Sequence, residues 1–434
     1  MSASHTVGLY LDTPTILDAP GYLEALQEHL GLNLVILGFS GELPESVLAL
    51  SPYDAILPSD DGLQALLCRH LDGRPSATSL APVRESAGPH MRLGGSDAHL
   101  RRAIERCRSL GLRVWLLGGG WTANDFEVVM FCPGKEAVNR WYEAVYRHMA
   151  TAYGVDGLDV THARFPMTSF PRGMFLCTCP DCAAIATAMD FDMEHMIADL
   201  RSAHRQLARL DGERLAAVLS AAMGSGDVFQ ALGLNPGVYE WFTFRARLLE
   251  RNIARFRDAV HQAAGADFVF GVDTYPASLA MFVGHDLTRW DRFSDFASPL
   301  VSHLDIFPMR TVIAWAGFLR ELCPPVGEAG ALRLISRFVG YDGLNLPERV
   351  ADFALDAPDC EYRNVPLVDF VLLDTAKARL YLPAAIPSYP IIQGGGAPHH
   401  WPRESIERII TGLLEQGHQG YMLQGTQSLV TYPG

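Results

Sequence analysis

Three aspartates lie at or near the ends of apolar segments that are predicted to be β-strands. They are Asp159 in GLDV, Asp273 in GVDTYP and Asp305 in HLDIFP. A charge inside an apolar strand costs free energy unless it is paired or faces a solvated opening, so three such placements indicate a common pocket. Two carboxyl groups, one protonated and one ionised, are what the cleavage of a glycosidic bond requires.

This chemistry gives each aspartate an expected role. We expect Asp159 to act as nucleophile or base and Asp273 as the acid/base, since unequal burial and mutual repulsion separate the pKa values of neighbouring carboxyl groups. Asp305 would orient a sugar hydroxyl or exchange roles with Asp273. A structural role, such as capping a loop or pairing with an arginine, is the open alternative for each of them.

Other polar and aromatic side chains near the predicted strand ends are candidates for substrate binding. His162 is expected to bind substrate, and Arg164 either pairs with a catalytic carboxylate or only neutralises Asp159. Trp121 would stack on a sugar face or, alternatively, lie in the core. The remaining candidates for hydrogen bonds to substrate hydroxyls are Tyr275, His303, Gln393 and Gln424.

Four cysteines form a second group with possible chemistry. The run CTCPDC supplies Cys177, Cys179 and Cys182, and a tetrahedral zinc ion needs four ligands. Cys132, in MFCPGK, precedes the adjacent helix and strand and can return to the same end of the fold. Because the 8 cysteines of this 434-residue chain are too sparse for a disulfide scaffold, we expect a zinc site, with unligated thiols as the alternative.

Short apolar runs alternate with helical patterns along the chain, which is typical of βα units. Most runs are apolar throughout, as in strands that are buried on both faces, and this favours a closed (β/α)8 TIM barrel over an open sheet. The predicted strands are Val7–Leu11, Leu34–Phe39, Arg113–Leu117, Gly157–Phe165, Phe268–Asp273, Leu304–Met309, Tyr389–Gln393 and Gly420–Gln424.

The whole chain, 1–434, is expected to be one barrel domain with long βα loops. A helical insertion is predicted after the fourth strand, at about 183–264, and the ambiguous run RLAAVLSAAM within it is taken as helix. The glycine runs at 118–120 and 394–396 lack the GxGxxG spacing of a dinucleotide site, so they are predicted to be tight turns.

The segment around the cysteines, roughly residues 113–190, resembles the zinc-bearing β-galactosidases of glycoside hydrolase family 42. In that family a lone cysteine after the third strand and a CxCxxC after the fourth hold a zinc ion, and the matching residues are Cys132, Cys177, Cys179 and Cys182. The resemblance implies a structural zinc that braces the loops of the barrel mouth. It also implies a homo-oligomer, because the family forms trimers.

Elsewhere the chain is similar to a broader group of barrel glycosidases through DGLDVTHARFP, at residues 156–166. The Asn-Glu pair that family 42 carries at the end of this strand is missing. The resemblance therefore implies a distant relative, and not a β-galactosidase proper.

Charge and hydropathy exclude several partners. The formal net charge is −14, and basic residues do not cluster with aromatic ones, so nucleic acid is not expected as a partner. The N-terminus lacks the pattern of a signal peptide, and no run of about 18 apolar residues occurs, so we expect a cytoplasmic protein without a membrane partner.

These observations predict a glycosidase-like enzyme that acts on a small carbohydrate. One alternative is a metal-dependent barrel isomerase, aldolase or lyase whose divalent metal is bound by residues among Asp159, His162, Asp273, His303 and Asp305. Another is a carbohydrate-binding relative without catalysis, since the predicted strand ends carry no glutamate.

Overall fold

The protein is a parallel β/α barrel, as the sequence predicts. The computed structural model describes residues 5–51, 96–121, 131–166, 173–209, 211, 213, 234–357, 363–395 and 400–430. The strands are β1 Thr6–Leu11, β2 Leu34–Gly38, β3 Arg113–Gly119, β4 Gly157–Thr161, β5 Val269–Thr274, β6 Ala297–Pro299, β7 Ile391–Gln393 and β8 Gly420–Gln424.

All paired strands are parallel, and they follow the order β6-β5-β4-β3-β2-β1-β8-β7. Two isolated parallel bridges, Ala297 with Ser388 and Leu300 with Ile391, connect the β6 end of this order to the β7 end. The sheet therefore curls into a nearly closed barrel, in which the carboxyl ends of all eight strands open at one mouth.

Helices surround the barrel and bury its outer face. The described helices are α1 Thr13–Asp18, α2 Tyr22–Leu30, α3 Glu45–Leu48, α4 Asp97–Ser109, α5 Glu136–Ala152, α6 Pro180–Ala188, α7 Met193–Leu207, α8 Pro236–Ala264, α9 Phe307–Leu322, α10 Gly327–Phe338, α11 Leu367–Tyr381 and α12 Arg403–Glu415. Most of α6 and all of α7 and α8 lie where the insertion is predicted, and α8 packs against both α5 and α7. The run RLAAVLSAAM lies outside the described residues.

Large side chains fill the lower barrel interior. Trp115 of β3 stacks on Phe296, just before β6, with ring centroids 4.6 Å apart. Glycines on the intervening strands β4 and β5 provide the space for these rings. A Cβ at Gly157 would lie 2.8 Å from the Trp115 ring, and a Cβ at Gly271 would be too close to the Phe296 ring. Because side chains alternate along a strand, the residues two positions further along β4 and β5 also point inward.

The prediction of the sixth strand at Leu304–Met309 is wrong. Residues 302–306 form a turn, and helix α9 begins at Phe307 with a proline in its first turn. Proline suits that position because its fixed φ matches the helix and its missing N–H has no intrahelical partner there. The true strand, Ala297–Pro299, is short and ends in proline, so its sequence carries little strand signal.

The fourth strand is shorter than predicted. It ends at Thr161, and His162 follows with a φ of 58°, which is not a strand conformation. The other predicted strands agree with the observed ones to within two residues at each end.

Candidate active site

Asp159 and Asp273 lie inside the barrel on the neighbouring strands β4 and β5. Asp159 follows Gly157 by two residues, and Asp273 follows Gly271 by two, so both side chains share the inward face of those glycines. Asp159 is fully buried, and Asp273 is 3% exposed. The structure thus brings together two of the three aspartates predicted from the sequence, above the aromatic layer of the barrel.

Tyr10 of β1 holds the Asp159 carboxyl from across the barrel. Its hydroxyl donates to Asp159 Oδ2 over 2.6 Å. The other carboxyl oxygen, Oδ1, is buried and has no hydrogen-bond partner within the described part of the chain. Burial, together with the charge of Asp273, raises the pKa of Asp159 to about 8, and the hydrogen bond from Tyr10 opposes this shift only in part. Asp159 therefore carries a proton at neutral pH.

Asp273 accepts a hydrogen bond from the last residue of β4. The Thr161 hydroxyl donates to Asp273 Oδ2 over 2.8 Å, and Thr161 Oγ1 lies 3.2 Å from His162 Nδ1. The negative charge of Asp273 raises the pKa of both Asp159 and Tyr10. The three groups therefore form one electrostatic unit, in which a proton on Asp159 is favoured by a charge on Asp273.

Asp305 lies in the turn before α9 and forms an ion pair with Arg363. Both side chains are only 1% exposed. Arg363 also donates to the carbonyl oxygen of Ala357, over 2.9 Å from Nη2. This pairing supports the structural alternative for Asp305, because the arginine compensates its buried charge and binds a neighbouring loop segment.

Five predicted binding residues lie near the barrel mouth in two groups. In the first, Ser302 Oγ donates to Gln424 Oε1 over 2.7 Å and lies 2.7 Å from His303 Nδ1. Because the hydroxyl proton is used on Gln424, His303 Nδ1 is the donor in that contact. Gln424 is also the register partner of Gln393 across β7 and β8.

In the second group, the Arg164 guanidinium lies 4.5 Å from the ring centroid of Tyr275, and both side chains are buried. His285 contacts the backbone of Tyr275 and of Ala163, which precedes Arg164. Its Nδ1 accepts from Tyr275 N over 3.1 Å, and its Nε2 lies 3.2 Å from the Ala163 oxygen. Burial lowers the pKa of His285 to about 3, so the ring is neutral and Nε2 carries the proton that binds Ala163.

Trp121 is placed in the core. It is fully buried, and its Nε1 donates to Asn139 Oδ1 over 2.8 Å. Its ring packs against Tyr142 and Phe256. These contacts support the core alternative for Trp121 over stacking on a sugar.

A cavity of about 310 Å³ lies beside Tyr10, at the carboxyl ends of β1, β2 and β3. This volume is at the lower end of the range for small-molecule sites. Tyr10 is half-buried and lines the cavity, and its hydroxyl contacts Asp159. The polar part of the wall contains a contact of 3.3 Å between the hydroxyls of Thr13 and Ser40. The lining residues are Tyr10, Leu11, Asp12, Thr13, Pro14, Ile36, Gly38, Ser40 and Leu117.

Sequence reasoning does not identify Tyr10, Thr161, Ser302 or Arg363. Tyr10 and Thr161 did carry a signal, because each places a hydroxyl at an inward-facing position of a barrel strand. Ser302 and Arg363 lie in turns and loops whose approach to the barrel follows from tertiary structure alone.

The four predicted cysteines converge into one buried cluster that could bind a metal ion. Their sulfur atoms all lie within 4.8 Å of one another, and none forms a disulfide. Cys132 Sγ lies 3.3 Å from Cys182 Sγ and 3.6 Å from Cys179 Sγ. Zinc bonded to four sulfurs at about 2.3 Å requires sulfur separations of about 3.8 Å, so the donor set fits a tetrahedral ion.

The backbone before α5 is shaped to this cluster. Gly134 N donates to Cys132 Sγ over 3.4 Å, and a Cβ at Gly134 would lie 2.7 Å from Cys182 Sγ. Two amides, Asn139 Nδ2 and Asn252 Nδ2, each donate to the Pro133 oxygen over 2.7 Å. The turn that carries Cys132 is thereby fixed against α5 and α8.

The aspartates and histidines proposed as ligands of a catalytic metal do not converge in this way. Among the described residues, the cysteines are the one group of three or more metal-ligating side chains that lie together. In that part of the chain, too, no helix has the length and apolar character that crossing a membrane requires.

No family model matches the chain, and no curated protein matches it. Among solved structures it is similar to the glycoside hydrolase domain of PgaB (BpsB) from Bordetella bronchiseptica, with 12% identity, a TM-score of 0.48 and coverage of 99% of this chain and 96% of that one. It is also similar to the catalytic domain of a β-amylase from Paenibacillus polymyxa, with 11% identity, a TM-score of 0.46 and coverage of 99% of this chain and 95% of that one. A chitinase from Rhizomucor miehei has 10% identity and a TM-score of 0.40, and the match covers 97% of this chain and 95% of that one. These similarities do not assign an activity to the chain. Its barrel fold is defined by the order of its parallel strands.

Proposed function

We propose that the protein is a glycoside hydrolase that cleaves a glycosidic bond with Asp159 and Asp273. One observation carries the proposal: two buried carboxyl groups on adjacent barrel strands differ in environment, and the pKa of one is raised to about 8. Glycoside hydrolysis needs such a pair, with one member protonated and the other ionised. The substrate would be a carbohydrate bound at the barrel mouth.

The environments favour roles that differ from those expected from the sequence. Asp159 is the buried, protonated member and supplies the proton for the leaving oxygen. Asp273 is the ionised member, which attacks the anomeric carbon or accepts a proton from the attacking water. The hydrogen bond from Thr161 stabilises a negative charge on Asp273 and fixes the carboxylate in one orientation.

The experiment is a hydrolysis screen with the α and β anomers of 4-nitrophenyl glucoside, galactoside and N-acetylglucosaminide. We expect Asp159→Asn and Asp273→Asn each to lower kcat on the cleaved substrate by about 10²-fold or more. Asp258→Asn, at an exposed position of α8, is the matched control and should retain full activity. Full activity in both site variants would exclude the assignment.

The cysteine cluster supports a zinc ion with a structural role. Cys132, Cys177, Cys179 and Cys182 would hold the ion with four sulfurs and leave no open position for substrate. Metal analysis of the purified protein should give one zinc per chain, and Cys179→Ser should lower both the zinc content and the melting temperature. Cys323→Ser, at a buried cysteine outside the cluster, should keep the zinc.

The alternatives are less well supported. A metal-dependent isomerase or lyase needs ligands that converge, and the five Asp and His candidates do not form such a group. A carbohydrate-binding protein without catalysis would leave the raised pKa of Asp159 without a use. Binding of sugar with no hydrolysis of any substrate in the screen would favour that second alternative.

A further inference from the structure

Tyr10 contacts the buried Asp159 carboxyl and also lines the cavity at the barrel mouth. Asp159 is fully buried, whereas Tyr10 is half-buried and lines the 310 Å³ cavity at the ends of β1, β2 and β3. The Tyr10 hydroxyl contacts Asp159 Oδ2 at 2.6 Å and Met422 Sδ at 3.4 Å. Among the described residues, this phenol is the polar group that connects the buried carboxyl with the cavity.

We propose that Tyr10 is a catalytic residue that passes the proton of Asp159 to the glycosidic oxygen of a sugar bound in this cavity. This inference rests on the proposed function and adds the group that touches the substrate. In the structure the phenol donates to Asp159 Oδ2; in the proposed relay this 2.6 Å hydrogen bond is reversed, so that the protonated carboxyl donates to the phenol oxygen and the phenol proton is passed to the substrate. The hydroxyls of Thr13 and Ser40 in the cavity wall are available as hydrogen-bonding groups for a sugar hydroxyl.

The proposed reaction begins with two coupled proton transfers. The carboxyl proton of Asp159 moves to the Tyr10 oxygen while the phenol proton moves to the glycosidic oxygen. The bond between that oxygen and the anomeric carbon breaks, and its electron pair stays on the oxygen, which leaves as a hydroxyl. Water replaces it at the anomeric carbon, and the proton of that water goes to Asp273. Return of this proton through solvent to Asp159 closes the cycle.

The phenol is suited to relaying a proton and unsuited to attacking carbon. The pKa of Tyr10 is raised well above its ordinary value, first by burial and then by the neighbouring carboxyl groups of Asp159 and Asp273. A phenolate nucleophile is therefore disfavoured in this position, whereas a neutral phenol keeps both a lone pair and a proton for the relay.

The test compares leaving groups, because a good leaving group needs no proton. On whichever sugar the wild type cleaves, Tyr10→Phe should lower kcat/KM for the phenyl glycoside by about 10²-fold to 10⁴-fold and leave the 2,4-dinitrophenyl glycoside within about threefold. Tyr22→Phe is the matched control, because it removes another half-buried phenol, 2.7 Å from Thr426 Oγ1, outside the site. It should leave both rates unchanged.

Two results would overturn the relay while the proposed function stands. One is Tyr10→Phe with wild-type rates on both substrates, and the other is an equal loss on both, which indicates that the phenol only positions other groups. If the wild type cleaves none of the glycosides in the screen, the proposed function fails, and the relay fails with it.

Discussion

Replacing Asp159 by asparagine should change how the stability of the protein depends on pH. The native state keeps the Asp159 proton up to about pH 8, whereas the unfolded chain loses it near the ordinary pKa of 3.8. Between these values the unfolded state binds about one proton fewer, so the free energy of unfolding falls by about 1.4 kcal/mol for each pH unit of increase. The side chain is fully buried, so solvent does not screen this effect.

The variant lacks this ionisation, so its stability relative to wild type should rise by about 3 kcal/mol from pH 5 to pH 7. Unfolding of a 434-residue chain carries an entropy of about 0.9 kcal/mol per kelvin, and the difference in melting temperature should therefore grow by about 3 °C. Thermal melts of wild type and Asp159→Asn at pH 5, 6 and 7 measure it. Asp258→Asn, at an exposed site, serves as the control.

The informative quantity is the change with pH of the difference in melting temperature. Any pH-independent effect of the amide on stability is the same at each pH and does not contribute to that change. A difference in melting temperature that stays constant from pH 5 to pH 7 would refute the reasoning. It would show that Asp159 titrates in the folded protein as it does in the unfolded chain, and that neither burial nor Asp273 perturbs it.

Three further predictions concern activity, the cysteine cluster and the buried ion pair. Because Asp159 must be protonated to act, kcat/KM of the proposed hydrolysis should fall about tenfold per pH unit above about pH 8, and a rate that stays level to pH 9.5 contradicts this role. Gly134→Ala places a methyl group 2.7 Å from a cluster sulfur and should lower zinc content, whereas Gly317→Ala, in open space on α9, should not. Arg363→Met should cost about 3–5 kcal/mol in denaturant unfolding by leaving the charge of Asp305 uncompensated, and adding Asp305→Leu should recover most of the loss.

The fold was largely predictable from local sequence. Seven of the eight strands have apolar runs long enough to stand out, and β8, at Gly420–Gln424, was predicted to the residue. The sixth could not be found this way, because Ala297–Pro299 is held by pairing with β5 and by bridges toward β7 and has almost no strand propensity of its own. The apolar run at 304–309 was predicted to be the sixth strand instead, because a short apolar run is compatible with either a strand or the start of a buried helix.

The candidate site was only partly predictable. Period-two alternation is enough to place Asp159 and Asp273 on the inward face once the barrel is assumed, and cysteine spacing is enough to predict the cluster. The partner of Asp159 was not accessible to that reasoning, because Tyr10 lies 149 residues away and meets it only across the barrel. The raised pKa of Asp159 follows from its burial and from the nearby Asp273, which are also features of the three-dimensional structure, and for this reason the proposed roles of the aspartates are the reverse of those expected from the sequence.

Burial explains both why Asp159 can hold a proton and why it needs help to deliver it. A carboxyl group that is exposed to bulk water has a pKa close to the ordinary value. Deep placement above the Trp115 and Phe296 layer keeps the proton at neutral pH and removes the carboxyl from the cavity. The relay that we propose through Tyr10 would reconcile these two consequences, since Tyr10 both contacts Asp159 and lines the cavity.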